Sequence, residues 1–371
     1  MEDGVSVDYA NKVKEQAGIQ VISDGNISDP VLANKLIEEN KLDFIGLGRA
    51  LLADPEWVNK VRVGKEEDIV PCVRCMQCIN RIFFGQYAAC SVNPVLGKEY
   101  LSPILPAKKP KNVVVVGGGM AGMAFAKMAE EKGHNVTLLE STSELGGHLL
   151  EGAVMDHKKE VAAYCRHLVR EIKNSGVKVK YNTRGTKESV KELKPDAVVV
   201  ATGSVPIVPK VPGIDKQNVR IATTLLKNGQ ECGHNVIIVG GGLVGCETGL
   251  HLAQKGKNVT IIDMLPEVAQ DVIFMARFSL LQALRDKGIN TQGGLKLVEI
   301  TDRGIVAEDA NGSRREMECD TVVIATGLKA DDSLYEELKD EFDEIYKIGD
   351  CIEARKFIDA IQEAFQIAKD I

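Results

Sequence analysis

Residues 112–140 read NVVVVGGGMAGMAFAKMAEEKGHNVTLLE. Residues 113–116 are a β-branched run of the length of a buried strand. The run enters Gly117-x-Gly119-x-x-Gly122 and is followed by a helix over 121–132 and a strand over 135–140. In such a turn the first glycine permits the tight bend and the second lets the backbone approach a pyrophosphate. The third allows close helix–strand packing, and the helix N-terminus supplies partial positive charge. A lone glycine pattern of this kind is weak, but the acid expected about 20 residues on, where it can reach a ribose, is present as Glu140. A turn of purely structural role is the alternative.

The same pattern recurs. VIIVGGGLVG at 236–245 aligns with VVVVGGGMAG at 113–122, followed by a helix over 243–255 and a strand over 258–263. The second turn is Gly240-x-Gly242-x-x-Gly245, and its acid is Asp263. Asp263 suits a ribose 2′-hydroxyl and repels a 2′-phosphate. Glu267 lies close by and no Arg or Lys follows within the loop, so NADH is favoured over NADPH. Two such folds suggest FAD at the first and a nicotinamide nucleotide at the second. Gly146-Gly147 supplies a second glycine turn after Glu140. Ala201-Thr202-Gly203 and Ala325-Thr326-Gly327 end strands, which brings Gly327 to the nicotinamide side. Gly349-Asp350 ends the last strand, where Asp350 suits the ribityl hydroxyls. Each alone reads equally well as a plain turn. Together they resemble the glutathione-reductase-like flavoproteins, over residues 111–371. The late strands 321–325 and 344–348 are expected to close the first domain, with the second inserted in it.

Nine cysteines are present, and four crowd into Cys72-x2-Cys75-x2-Cys78-x11-Cys90. Four thiolates are the ligand count of a 4Fe–4S cluster. A four-thiolate zinc site is the runner-up, then a redox dithiol, then unconnected thiols. The flavin context favours the cluster, because a hydride reaches a flavin as an electron pair while a cluster passes electrons singly.

The chain begins with a βα rhythm: a strand over 19–23, a helix over 29–39 with Ser28 as N-cap and Pro30 in its first turn, a strand over 42–45 and a helix carrying Trp57 and Val61. Two βα units cannot close an eight-stranded barrel.

A barrel end, a cysteine segment and paired FAD and NAD folds, in that order, resemble the family of 2,4-dienoyl-CoA reductase, 2-enoate reductase and trimethylamine dehydrogenase. These join an old-yellow-enzyme-like FMN barrel to a reductase half. VISDGNISDPVLANKLI (21–37) and DFIGLGRALLADPEW (43–57) look like the last two barrel strands. The resemblance implies that Gly25 to Ile27, Gly48 and Arg49 hold the FMN phosphate; a surface arginine at a helix start is the alternative for Arg49. It also implies that NADH delivers hydride to FAD, that the cluster relays electrons to FMN, and that FMN reduces an activated C=C bond of an enoate-type or dienoyl-CoA-type substrate. The second cysteine gap is one residue shorter than usual in that family. Most of the barrel is missing, so no catalytic residue is assigned. The chain is expected to be a fragment; a stand-alone NADH diaphorase component and a zinc-stabilised nucleotide-binding module are the rivals.

The fold class expected is therefore α/β: a remnant of a (β/α)8 FMN barrel over 1–66, an iron–sulfur segment over 67–105, an FAD domain over 106–230 and 320–371, and an NAD domain over 231–319. A linker is expected at 102–110. The net charge of −7 argues against nucleic acid, and the run Lys108, Lys109, Lys111 reads as solvated linker. No apolar run approaches the ~20 residues of a membrane span, and no signal peptide is visible, so a cytoplasmic protein is expected, with a homo-oligomer left open. His148 and His251 read as ordinary helix or loop residues, and Cys246 as helix packing.

Overall fold

The computed structural model describes residues 3–101 and 105–371, so positions 102–104 of the expected linker lie outside the described residues. The N-terminal part holds α1 (Val7–Ala17), β1 (Ile22–Ser23), α2 (Pro30–Glu38), β2 (Phe44–Ile45), α3 (Arg49–Ala53) and α4 (Trp57–Arg62). β1 and β2 pair in parallel, Ile22 opposite Phe44. Each is shorter than its sequence pattern suggests, because a strand with one neighbour has one ladder to support it. Val7, Val21, Ile27, Leu36, Leu42 and Trp57 form a small core of their own. The N-cap of α2 is Asp29 rather than Ser28. Pro30 forces the residue before it into extended backbone, and the Asp29 carboxylate accepts from the Val31 N–H at 2.9 Å. The Ser28 carbonyl instead accepts from the Trp57 indole at 3.2 Å.

The cysteine segment carries α5 (Gln77–Phe83). The first nucleotide fold follows as β3 (Asn112–Val116), α6 (Met120–Glu131), β4 (Asn135–Leu139), α7 (Leu149–Ala153), α8 (Lys159–Asn174), β5 (Lys178–Lys180), α9 (Lys187–Glu192), β6 (Ala197–Val200) and β7 (Ser204–Pro206). Next come β8 (Val219–Ile221), α10 (Ala222–Asn228), β9 (Asn235–Val239), α11 (Leu243–Gln254), β10 (Asn258–Ile262), α12 (Phe274–Asp286) and β11 (Asn290–Gln292). An antiparallel meander, β12 (Leu295–Thr301), β13 (Gly304–Asp309) and β14 (Arg314–Glu318), leads into β15 (Thr321–Ile324). The chain ends with β16 (Leu328–Ala330), α13 (Ser333–Leu338), β17 (Ile345–Lys347) and α14 (Phe357–Asp370).

Two parallel five-stranded sheets result, ordered β17-β6-β3-β4-β5 and β11-β10-β9-β15-β8. Their central strands are apolar along their length, as strands covered on both faces must be. The antiparallel pair β7–β16 carries the chain out to the second sheet and back. One expectation is corrected. Residues 321–325 were assigned to the first domain, but β15 pairs with β8 and β9 of the second sheet, so the inserted unit reaches beyond 231–319 on both sides. The reason lies in the repeat. Ala201-Thr202-Gly203 ends β6 beside β3, and Ala325-Thr326-Gly327 ends β15 beside β9, so each stands against its own glycine turn.

α8 packs Val161, Tyr164, Leu168 and Ile172 into the first core. His167 is buried with them, its Nδ1 3.3 Å from Arg170 Nη2. Burial, with Arg170 and Lys60 nearby, pushes its ring pKa down to about 4. An unfolded histidine titrates near ~6.5. Between those values the unfolded chain binds the extra proton, so stability falls as pH drops through that window. At about 1.4 kcal/mol per pKa unit the loss approaches roughly 3 kcal/mol. Urea midpoints at pH 7.5 and 4.5 should differ less for His167→Gln than for the parent; equal differences would remove His167 from the acid response.

Candidate functional site

At the first turn, Gly117 sits at φ 108, and a Cβ there would lie 2.3 Å from the Ala201 carbonyl oxygen. A Cβ on Gly122 would lie 1.9 Å from the Gly117 carbonyl oxygen, so the helix can approach only because that atom is missing. A Cβ on Gly119 would meet nothing within 4 Å. Its backbone faces open space at the start of α6, where an anion is favoured. Glu140 is buried and clamps this turn: Oε2 accepts from Gly118 N–H at 2.9 Å and Oε1 from Thr142 N–H at 2.7 Å. The second glycine turn docks on the first through Gly146 N–H to Gly118 O at 2.9 Å, and Gly147 rests against Gly119.

These residues open a cleft of about 540 Å³, with Glu140, Gly147, Arg184, Asp350 and Arg355 in its walls. That volume suits a nucleotide-sized ligand. Asp350 reaches the cleft because Gly349 brings its turn against α6; a Cβ there would stand 2.8 Å from that of Ala121. Its carboxylate accepts from Ser204 Oγ–H at 3.3 Å and from Arg355 N–H at 3.3 Å.

His148 is part of the same wall. Its Nδ1 lies 2.9 Å from Glu151 Oε2 and its Nε2 3.0 Å from the Ser204 carbonyl. The hydrogen bond to Glu151 holds the imidazole pKa above its ordinary value. Sequence reasoning passed over this Glu151–His148–Ser204–Asp350 chain, since its members are scattered along the sequence with no period to mark them.

The second turn reproduces the first. A Cβ on Gly240 would lie 2.2 Å from the Ala325 carbonyl oxygen, and one on Gly245 1.9 Å from that of Gly240. Asp263 accepts from Gly241 N–H at 2.5 Å and from Leu265 N–H at 2.8 Å. Gly327, at φ 104, borders a cavity of about 20 Å³ with Val244 and Thr223. Arg277 of α12 comes back to Glu267 at 2.6 Å, a cation that a search of the loop alone does not find. Glu247 of α11 is buried and paired with Lys158 of the first fold at 2.6 Å; burial pushes its carboxyl pKa up. His251 is buried in α11, and Cys246 places its thiol against Gly241 O at 3.3 Å.

In the N-terminal part, Gly25 sits at φ 105, and a Cβ would fall 2.8 Å from Ser6 N. Gly48 caps α3 and faces open space. Arg49 points Nη1 at Met76 Sδ, 3.2 Å away, and Nη2 at Asn26 Oδ1, 3.5 Å away. The 25–27 turn, the 48–49 turn and the cysteine loop therefore meet at this guanidinium.

Burial raises the Cys72 and Cys90 thiol pKa values most; to a lesser degree, charge on Cys75 and Cys78 raises that of Cys72, and charge on Cys72 and Cys75 raises that of Cys90. The loop turns through two left-handed residues, Arg74 (φ 52) and Met76 (φ 63). Cys90, Val92 and Val73 belong to the same core as β3 and α6. Burial raises the Cys90 thiol to about 11, while the N–H groups of Val92 and Asn93 work in the opposite direction. The Arg74 N–H does the same for Cys72, and the Ile79 N–H for Cys78. Cys75 places its Sγ 3.1 Å from Ser91 Oγ. Cys78 and Cys90 are buried and Cys72 and Cys75 half-buried; thiols facing backbone donors have the chemistry a cluster needs, since such bonds tune its thiolates. Among the described residues, no three His, Cys, Asp or Glu side chains stand close enough to hold one ion.

Residues 111–368 match the family model described as pyridine nucleotide-disulphide oxidoreductase. The chain belongs to that family. Residues 4–68 of this family member match a second model, NADH:flavin oxidoreductase / NADH oxidase. An NADH oxidase of Thermoanaerobacter brockii is 37% identical over 100% of the chain and 58% of its own length. A cinnamate reductase of Clostridium sporogenes is 35% identical over 99% of the chain and 56% of its own length. A solved 2-naphthoyl-CoA reductase in complex with 2-naphthoyl-CoA superposes with a TM-score of 0.95 at 31% identity, covering 100% of the chain and 57% of that protein. The order of parts is that of the 2,4-dienoyl-CoA reductase and 2-enoate reductase family. The chain spans a little over half the length of these relatives. No helix among the described residues is long and apolar enough to cross a membrane.

Proposed function

We propose that this chain is the electron-input half of an NADH-dependent, cytoplasmic ene-reductase. The carrying observation is that one core joins the open cleft at Gly117–Gly122 to the cysteine loop, with the second glycine turn on the adjoining fold. FAD bound in the cleft supplies the exchange between hydride and single-electron chemistry. The chain's own residues do the rest. The start of α6 and the Gly146-Gly147 turn take the FAD diphosphate, Glu140 holds the turn in shape, and Asp350 meets the ribityl hydroxyls. Gly240, Gly242, Gly245, Asp263 and Gly327 form the NADH site. Glu267 holds Arg277 and the Asp263 carboxylate repels a 2′-phosphate, which favours NADH.

Cys72, Cys75, Cys78 and Cys90 hold a 4Fe–4S cluster. Arg49, between the 25–27 turn and the cysteine loop, takes the FMN phosphate where the full barrel is present. The substrate is an activated C=C bond conjugated to a carboxylate or thioester, in line with the cinnamate and 2-naphthoyl-CoA reductases it resembles. No nucleic acid is involved, and self-association is compatible with this role.

Anaerobic purification with cofactor extraction tests the reading. The expected result is about one FAD, four iron and four sulfide per chain, with NADH bleaching the flavin absorbance. A reconstituted chain holding neither flavin nor iron would sink it.

A further inference from the structure

The internal repeat compares two loops that begin alike and end differently. Each follows the acid of its fold, Glu140 or Asp263. Each sets an apolar side chain against the middle glycine, Leu145 on Gly118 and Val268 on Gly241. Each docks through the same backbone bond: Gly146 N–H to Gly118 O at 2.9 Å, Ala269 N–H to Gly241 O at 2.6 Å. Ala269 makes that bond in the left-handed region, φ 58, where glycine serves in the first copy.

The next two residues separate them. His148 turns its ring away to Glu151 and Ser204. Asp271, at the equivalent position, lays its carboxylate on the start of α11. Both oxygens accept from the Leu243 N–H, at 3.0 and 3.1 Å. A Cβ on Gly242 would meet that carboxylate at 3.3 Å, whereas one on Gly119 meets nothing within 4 Å. The first turn opens a cleft of about 540 Å³; the cavity beside the second fold holds about 20 Å³.

The first N–H of a helix after a glycine turn is a donor that a nucleotide diphosphate uses. Here a carboxylate already occupies it and adds like charge. We propose that Asp271 is a built-in competitor for the diphosphate of the nicotinamide nucleotide, and that its side chain is a latch that swings aside when the nucleotide binds, while Val268, Ala269 and Val272 keep the loop anchored in the core. This rests on the reading of the second turn as a nicotinamide site. Lys356, from the N-cap of α14 on the first fold, stands 3.9 Å from Asp271 Oδ2 and offers the displaced carboxylate a counter-charge. The latch makes nucleotide affinity depend on how the two folds face each other.

Calorimetric titration of NAD+, which takes no electrons from oxidised FAD, into the FAD-loaded chain tests this. Asp271→Asn keeps an oxygen acceptor for α11 but loses the charge. Its Kd for NAD+ should fall roughly tenfold, because less of the chain is held in the closed state. FAD per chain should stay as in the parent. Asp271→Ser, also an uncharged acceptor, should shift the same way. A Kd that is unchanged or higher in both variants overturns the latch alone. No NAD+ binding in parent or variants, with FAD in place, overturns the nicotinamide reading and the latch with it.

Discussion

Gly119→Ala is expected to fold as the parent does and lose its flavin, while Gly122→Ala is expected to lose the fold around the turn. The two glycines are three residues apart and look interchangeable in the motif. Gly119 has φ −75 and ψ −171, backbone that alanine adopts freely, and its added methyl meets no protein atom within 4 Å. That methyl enters the space through which a diphosphate reaches the start of α6. FAD affinity should drop about a hundredfold, near 2.7 kcal/mol. Urea unfolding of the flavin-free chain should be unchanged.

The methyl of Gly122→Ala would lie 1.9 Å from the Gly117 carbonyl oxygen, so β3 and α6 must separate by more than an ångström. A well-packed core resists such a shift at a cost of about 3 kcal/mol or more. The flavin-free chain should therefore unfold at clearly lower urea, and FAD retention should fail as a consequence. Gly245→Ala, with the same 1.9 Å approach to Gly240, should behave alike in the second fold. Equal stability for Gly119→Ala and Gly122→Ala would refute this division of labour.

The same stereochemistry explains why so much could be read in advance. A backbone that needs a missing Cβ at 1.9 or 2.3 Å leaves a glycine in the sequence, and both turns do so at matching positions. The strand order was less legible, because pairing between distant segments leaves no local mark. β15 follows the meander and was expected in the first sheet, although its Ala325-Thr326-Gly327 ending already placed it beside the second turn. The Asp29 cap was readable from Pro30 once the residue before proline is taken as extended. Asp271 was readable too. Extending the repeat eight residues past each acid sets it opposite His148, and the opposite chemistry of that pair is the signal. The His148–Ser204–Asp350 contact was not, since it joins positions 148, 204 and 350, which are near only in the folded chain. The cysteine spacing raised the expectation of a ligand set, whereas the shared core of Cys90 with β3 could not be deduced from spacing.

That shared core makes Cys90→Ser the most damaging of the four cysteine replacements. Cys72 and Cys75 sit on one loop and Cys78 in the first turn of α5; Cys90 closes the proposed set from twelve residues beyond Cys78, buried with Val92 in the core of the first fold. Serine is nearly isosteric but a poor ligand for iron, so iron should fall from about four per chain to below one, with sulfide lost in parallel. Ligand binding in such a site is also folding energy. The loop between Cys78 and Cys90 loses an anchor, and α5 depends on it to hold its Asn80 against Met275 of α12. The melting temperature should therefore drop, and proteolysis should begin within the cysteine segment. Cys319→Ser, a buried cysteine of the second fold, is the control and should keep its iron. Metal and sulfide analysis beside electron paramagnetic resonance of the reduced protein decides the case. Full iron in Cys90→Ser would take Cys90 out of the ligand set. One zinc per chain, with neither iron nor sulfide in the parent, would replace the relay by a structural four-thiolate site and leave the two nucleotide folds to exchange electrons without it.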